Sequence, residues 1–259
     1  MTDRTNPAIN RRQAIVGLGS LGLGALFAAC GQDSKTSSDA GSGVATTGTA
    51  AATTTAAALD AAGSCAVVPE LTEGPYYIDL DKVRSDIRED RQGTPLTLAI
   101  RVRDFPDCTP RANAVVDIWH CDATGNYSGF EAGGGGLGGP PSRGGGGNTT
   151  TDAKRYLRGS QITGADGIAQ FVTIYPGWYR GRTVHVHVKV HVGNNREVTS
   201  QLFFDEAVTR AVYASGPYAT HSGQDTSNAD DGIFARANLL VPTRSVDGYM
   251  AAINLDVKT

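Results

Sequence analysis

Residues 183–192 read Thr-Val-His-Val-His-Val-Lys-Val-His-Val. Valine occupies every second position from Val184 to Val190, and His185, His187, Lys189 and His191 fill the gaps. A period of two is the period of a β-strand, whose alternate side chains point to opposite faces. The segment therefore predicts a strand with one apolar face and one face carrying imidazoles. The same reading spreads outward. Val198–Phe204 is a second strand, and Asp205 stands where it can cap a short helix over Glu206–Ala214. Upstream, Leu96, Leu98, Ile100 and Val102 alternate with Thr97, Ala99, Arg101 and Arg103. Ala114–His120, Ile168–Tyr175 (introduced by the turn Ala165-Asp166-Gly167) and Tyr249–Val257 complete the set. Short strands separated by Gly, Pro and Asn turns predict an all-β domain: a β-sandwich core with long loops and at most one or two short helices. Ala132–Thr151, rich in glycine and without periodicity, is a long surface loop.

Composition narrows the function classes. Of 259 residues 40% are hydrophobic and 19% charged, which supports a sizeable core. The net charge of −3 argues against a nucleic-acid partner held by phosphate contacts. The first thirty residues have a different character. Arg11-Arg12 precede an apolar, glycine-rich stretch from Ala14 to Ala29, ending in Leu26-Phe27-Ala28-Ala29-Cys30. A paired-arginine head and a short apolar run predict a twin-arginine export signal over residues 1–30. Cys30 closes a lipobox-like end and is the expected lipidation site. Residues 31–64, nearly all Ser, Thr, Ala, Gly and Asp from Thr36 onward, predict a disordered tether, leaving a domain over residues 65–259. The expected location is outside the cytoplasm, periplasmic or at the cell surface, with the membrane touched only through the N-terminal lipid. Of the three remaining cysteines, Cys65 and Cys108 lie in loop-like sequence and are the expected disulfide, with Cys121 free.

Two imidazoles two apart on a strand stand about 7 Å apart along the backbone and share a face, so they can converge on one metal ion. His185 and His187 are that pair; His120 and His191 are read as non-ligands, with His191 and Lys189 reaching solvent. The segments around the pair add chemistry. Tyr175-Pro176-Gly177-Trp178-Tyr179-Arg180-Gly181-Arg182 precedes it, a Pro-Gly turn that presents Tyr179 beside the His strand. Trp119-His120-Cys121-Asp122-Ala123-Thr124-Gly125-Asn126-Tyr127 places another tyrosine just past a strand and a turn.

Together these segments resemble the intradiol ring-cleavage dioxygenases, the catechol and protocatechuate dioxygenase family, in its smaller exported single-domain form. The resemblance covers roughly residues 65–240. It also includes Thr72-Glu73-Gly74-Pro75-Tyr76-Tyr77, Arg158-Gly159-Ser160-Gln161 and Ser200-Gln201-Leu202-Phe203-Phe204. It implies a β-sandwich carrying one non-haem Fe(III) per chain, held by Tyr127, Tyr179, His185 and His187. It implies ring cleavage of a catechol by O₂ between the hydroxyl-bearing carbons, to muconate-type diacids. Tyr179 takes a substrate proton, Arg182 stabilises developing negative charge, Gln201 orients Arg182 or the substrate, and Tyr76 or Tyr77 lines the substrate pocket. Phenolates and imidazoles suit a hard ferric ion. Two other readings stay open: a zinc or copper enzyme using the His pair with Asp122 or Asp205, and a lipid-anchored binding module without catalysis. The particular catechol and the oligomeric state are open as well.

Overall fold

The computed structural model describes residues 55–63, 65–80, 82–131, 150–193 and 196–258. The expected export signal, Cys30, most of the tether and nearly all of the Gly-rich loop lie outside the described residues.

Strand β1 (Pro95–Phe105) shows what alternation does here: Leu96, Leu98, Ile100 and Val102 are fully buried on one face. Each such side chain contributes about 1.5–3 kcal/mol by leaving water. β1 runs parallel to β10 (Tyr249–Lys258), with Leu96 opposite Tyr249 and Ile100 opposite Ile253. Its other edge takes β5 (Ile168–Ile174) and the short β2 (Thr109–Pro110), and β9 (Thr243–Arg244) pairs with β10. The second sheet has the order β4 (Arg158–Ile162), β3 (Val115–Trp119), β6 (His185–Val192), β7 (Arg196–Phe204) and β8 (Leu239–Leu240). The inner faces meet in one core, where Leu98, Ile100 and Phe171 from the first sheet join Val116, Val186, Val188 and Leu202 from the second. This is the expected all-β sandwich.

Two short α-helices accompany the sheets among the described residues. Helix α1 spans residues 55–61 and α2 is Glu206–Tyr213, its first amides capped by the Asp205 carboxylate as expected. Helix α1 corrects the expected tether, which was drawn to residue 64. Leu59 is fully buried, Asp60 pairs with Arg101 at 2.7 Å, and Asn254 donates to the Leu59 and Ala62 carbonyls. The helix thus lies on the outer face of the first sheet, and the folded unit starts about ten residues earlier than Cys65. Cys65 and Cys108 form the expected disulfide, with Cα atoms 5.9 Å apart, and Cys121 is free and buried. Strand β4 was not expected as a strand. Its Arg-Gly-Ser-Gln-Ile sequence has no apolar alternation, yet it completes the edge of the second sheet.

Candidate functional site

The outer face of the second sheet is built in rows across the strands. Register places Arg158 of β4 beside Trp119 of β3, Trp119 beside His187 of β6, and His187 beside Gln201 of β7. The Trp119 and His187 rings lie parallel, 4.9 Å between centroids and 4° between planes, which fixes the imidazole orientation. His185 occupies the row above, opposite Phe203.

Two turns bring the tyrosines over this face. Asp122 organises the first: its carboxylate accepts from the Thr124 and Asn126 amides, and the chain turns there to deliver Tyr127. The Pro176-Gly177 turn delivers Tyr179. The two turns interlock backbone against backbone, with the Gly177 amide donating to the Asp122 carbonyl at 3.2 Å. A Cβ at Gly125 would stand 2.3 Å from the Trp178 carbonyl oxygen, and one at Gly177 would stand 2.3 Å from that of Asp122. Glycine is required at both positions because any side chain would push the turns apart, and the tyrosines with them.

Four donor atoms then converge. Tyr127 Oη lies 3.4 Å from His185 Nε2 and 3.2 Å from His187 Nε2. Tyr179 Oη lies 3.2 Å from His185 Nε2, and the two imidazole Nε2 atoms are 3.2 Å apart. All four side chains are buried. His185 Nδ1 donates to the Thr183 carbonyl at 2.6 Å, so the neutral ring turns a bare Nε2 lone pair inward. Burial, reinforced by the Arg182 charge, lowers His185 to about 3, and burial with the neighbouring His185 pushes His187 well below its ordinary value. Burial also raises both phenols, Tyr127 further through Tyr179, while Arg182 opposes the rise at Tyr179. Two imidazole nitrogens and two phenol oxygens thus form one buried set of neutral donor atoms.

Arg182 is fixed from two sides. Its Nε donates to Asp231 at 2.9 Å and its Nη2 to Gln201 Oε1, while Gln201 Nε2 donates to the Thr72 carbonyl at 2.8 Å. Burial opposes ionisation of Asp231. Hydrogen bonds from the Ile233 and Thr183 amides and the charge of Arg182 outweigh it and hold the carboxyl below its usual range. The Arg182 charge bears on all four donor side chains. The 72–77 segment covers the site: a Cβ at Gly74 would lie 3.2 Å from His187 Cε1, and the Tyr76 ring stacks on Tyr127 at 4.3 Å. The Tyr76 hydroxyl is buried without a partner among the described residues, and burial lifts its pKa to about 12. Tyr77 sits one layer back, against Trp119, with its hydroxyl on Asp117 at 3.3 Å.

The structure thus gathers Tyr127, Tyr179, His185, His187 and Tyr76, and joins Arg182 to Gln201. His120 is no part of the set; its ring nitrogens meet the Cys121 carbonyl and Thr173 Oγ1. Asp122 and Asp205, the carboxylates of the zinc or copper reading, both cap backbone amides elsewhere. The expectation that Lys189 and His191 reach solvent is corrected. Lys189 is only 6% exposed and pairs with Glu73, and His191 lies half-buried between Asp117 and Glu197. A lysine on a polar strand face reads as solvated, and Glu73, 116 positions away in sequence, cancels that reading. The support that Asp231 gives Arg182 has no sequence signal of its own, since Asp230-Asp231-Gly232 carries only an ordinary turn signal.

Comparison with known proteins identifies relatives of the chain. The family model described as Dioxygenase matches residues 69–223. An intradiol ring-cleavage dioxygenase structure from Tetranychus urticae shares 33% identity at a TM-score of 0.68, over 75% of this chain and 95% of that one. The dioxygenase domain of a carbohydrate-binding fusion protein from Streptomyces sp. SirexAA-E shares 26% at 0.55, over 75% and 99%. Catechol 1,2-dioxygenase 1 of Acinetobacter lwoffii is 29% identical over 156 residues, 51% of this chain and 45% of that protein. The chain spans about half the length of the curated relatives it matches.

Proposed function

The chain belongs to the intradiol ring-cleavage dioxygenase family, and from that premise we propose that it uses O₂ to cleave catechol-type rings between their two hydroxyl-bearing carbons, forming muconate-type diacids. The observation that carries the proposal is the convergence of two phenols and two neutral imidazoles. Tyr127 Oη, His185 Nε2 and His187 Nε2 form a triangle with sides of 3.4, 3.2 and 3.2 Å. A point roughly 2 Å from all three exists, which is a metal–ligand bond length. Tyr127, Tyr179, His185 and His187 would hold one non-haem Fe(III), which the hard phenolate oxygens fit better than zinc or copper does. When bound, that ion supplies Lewis acidity toward the catechol oxygens and draws electron density from the ring.

The chain's own residues do the rest. With the metal held, both buried phenols would be ionised, their protons passing to solvent, and Tyr179 Oη is the atom that would take a proton from the catechol. Arg182, held by Asp231 and Gln201, places fixed positive charge where the ring becomes negative, a preorganised electrostatic role. Tyr76 supplies an aromatic wall and a buried hydroxyl donor. The Tyr77 hydroxyl is committed to Asp117, so the substrate wall falls to Tyr76 rather than Tyr77. Oxygen uptake by the iron-loaded protein, with catechol, protocatechuate, hydroxyquinol and substituted catechols offered in turn, tests this reading. We expect consumption with at least one of them and none with Tyr127→Phe or His187→Ala. Full activity in those variants would overturn it.

We further propose that the domain works outside the cytoplasm, exported by residues 1–30 and anchored through lipid on Cys30. The Cys65–Cys108 disulfide supports an oxidising compartment. Mass analysis of the membrane-associated protein is expected to show acylation at Cys30; an unmodified, soluble chain that still carries its first thirty residues would contradict it.

A further inference from the structure

Arg158 is 2% exposed and pairs with no carboxylate among the described residues. A buried cation left unpaired costs several kcal/mol, so its retention calls for a physical reason. Its hydrogen bonds supply one. Nη1 donates to the Tyr76 carbonyl at 2.6 Å, Nη2 to the Ser128 carbonyl at 2.8 Å, and Nε to Ser128 Oγ at 2.8 Å. These acceptors belong to two chain segments more than fifty residues apart in sequence. Tyr76 carries the ring that stacks at 4.3 Å on Tyr127, and Ser128 directly follows Tyr127. Both halves of the stack therefore hang from one planar fork. The fork is itself held. Arg158 sits in the β3–β4 ladder opposite Trp119, and Arg84 donates through Nε and Nη2 to the Arg158 carbonyl at 2.9 and 2.6 Å.

We propose that Arg158 is a positioning residue that sets the direction of the Tyr127 phenol toward the metal by clamping the Tyr76 and Ser128 backbones together. The inference rests on the ferric reading of the preceding subsection. The geometry, beyond the charge, does the positioning: a lysine keeps the charge but has no rigid fork with which to hold both carbonyls at once.

The experiment compares Fe(III)-loaded wild type and Arg158→Lys by iron affinity and by the visible tyrosinate-to-iron absorption band. We expect folded Arg158→Lys to bind iron about 10–100-fold more weakly, the scale of losing a group that orients a ligand, and its band to shift. A purely structural role would lower the melting temperature and leave the band of the folded protein where it was. An unchanged band and affinity in Arg158→Lys would overturn the proposal while the ferric reading stands. Absence of the band in iron-loaded wild type would overturn the ferric reading itself, and the clamp with it. If Arg158→Lys fails to fold, Ser128→Ala removes a single acceptor and carries the test. A smaller change in the same direction supports the clamp, and an unchanged band overturns it.

Discussion

Four side chains point outward from strand β6, and they divide into two pairs. His185 and His187 are fully buried, neutral and turned toward two phenols. Lys189 and His191, on the same face of the same strand, are paired with Glu73, Asp117 and Glu197. Histidine stands in both halves, so residue type alone does not set the two pairs apart. The neighbours decide. The upper pair meets Tyr127 and Tyr179, delivered by two interlocked turns, while the lower pair meets carboxylates. On the proposed reading, the upper set of two neutral imidazoles and two phenols suits a metal, whereas the lower set is already neutralised by carboxylates and serves structure.

The comparison breaks most visibly at the upper pair. His185→Ala is expected to abolish iron binding and ring cleavage together, measured by metal analysis and oxygen uptake. Next, Asp231→Asn loosens Arg182 without touching a ligand. We expect iron content unchanged and kcat lower by about 10²-fold, in line with losing a preorganised charge. An unchanged kcat would remove Asp231 from the account.

Acid sharpens the contrast in the metal-free protein. Burial holds His185 at about 3 and His120 at about 4 in the fold, against 6.5 when unfolded. Between those values the unfolded chain binds more protons, so stability is full above about pH 6.5 and falls as pH drops toward 4. The loss is on the order of 2 kcal/mol per histidine by pH 5. Both ring nitrogens of His120 are engaged away from the four donor atoms, so His120→Gln isolates one share: the variant should lose less stability than wild type between pH 7.5 and pH 5 in denaturant titrations. Equal losses would contradict the burial argument.

The lower pair responds in stability rather than in chemistry. Glu73→Gln leaves the buried Lys189 with Glu197 at 3.6 Å as its remaining carboxylate among the described residues, beside the Tyr77 ring at 4.0 Å, and is expected to cost about 1–3 kcal/mol. Lys189→Met removes the charge along with its partner's purpose and is expected to cost less, since apolar replacements of buried ions are often neutral. The reverse order in thermal unfolding would show that the pair is held for stability. Smallest of all, His191→Gln should change stability by less than about 1 kcal/mol and leave oxygen uptake unaltered.

The sequence was most legible where local patterns control the outcome. Alternation found β1, β6 and β7, because one face of each enters the core. The two turn motifs placed Tyr127 and Tyr179, because glycine is compulsory where the turns touch. Strand β4 escaped because Arg158, Gly159 and Ser160 are buried yet not apolar. Helix α1 escaped because its Thr/Ala sequence resembles the tether before it, and only docking on Arg101 and Asn254 sets it apart. Lys189 was misread because its partner comes from a distant segment, as did the Asp231 support of Arg182. Long-range pairing of charged groups leaves no periodic trace in a chain.

The most direct test of the central claim is the visible absorption spectrum of the purified, Fe(III)-loaded protein, before and after anaerobic catechol. The account predicts a coloured protein with a tyrosinate-to-iron charge-transfer band that shifts when catechol is added. A colourless protein carrying one iron per chain would contradict it, because Tyr127 and Tyr179 would then not be ligands.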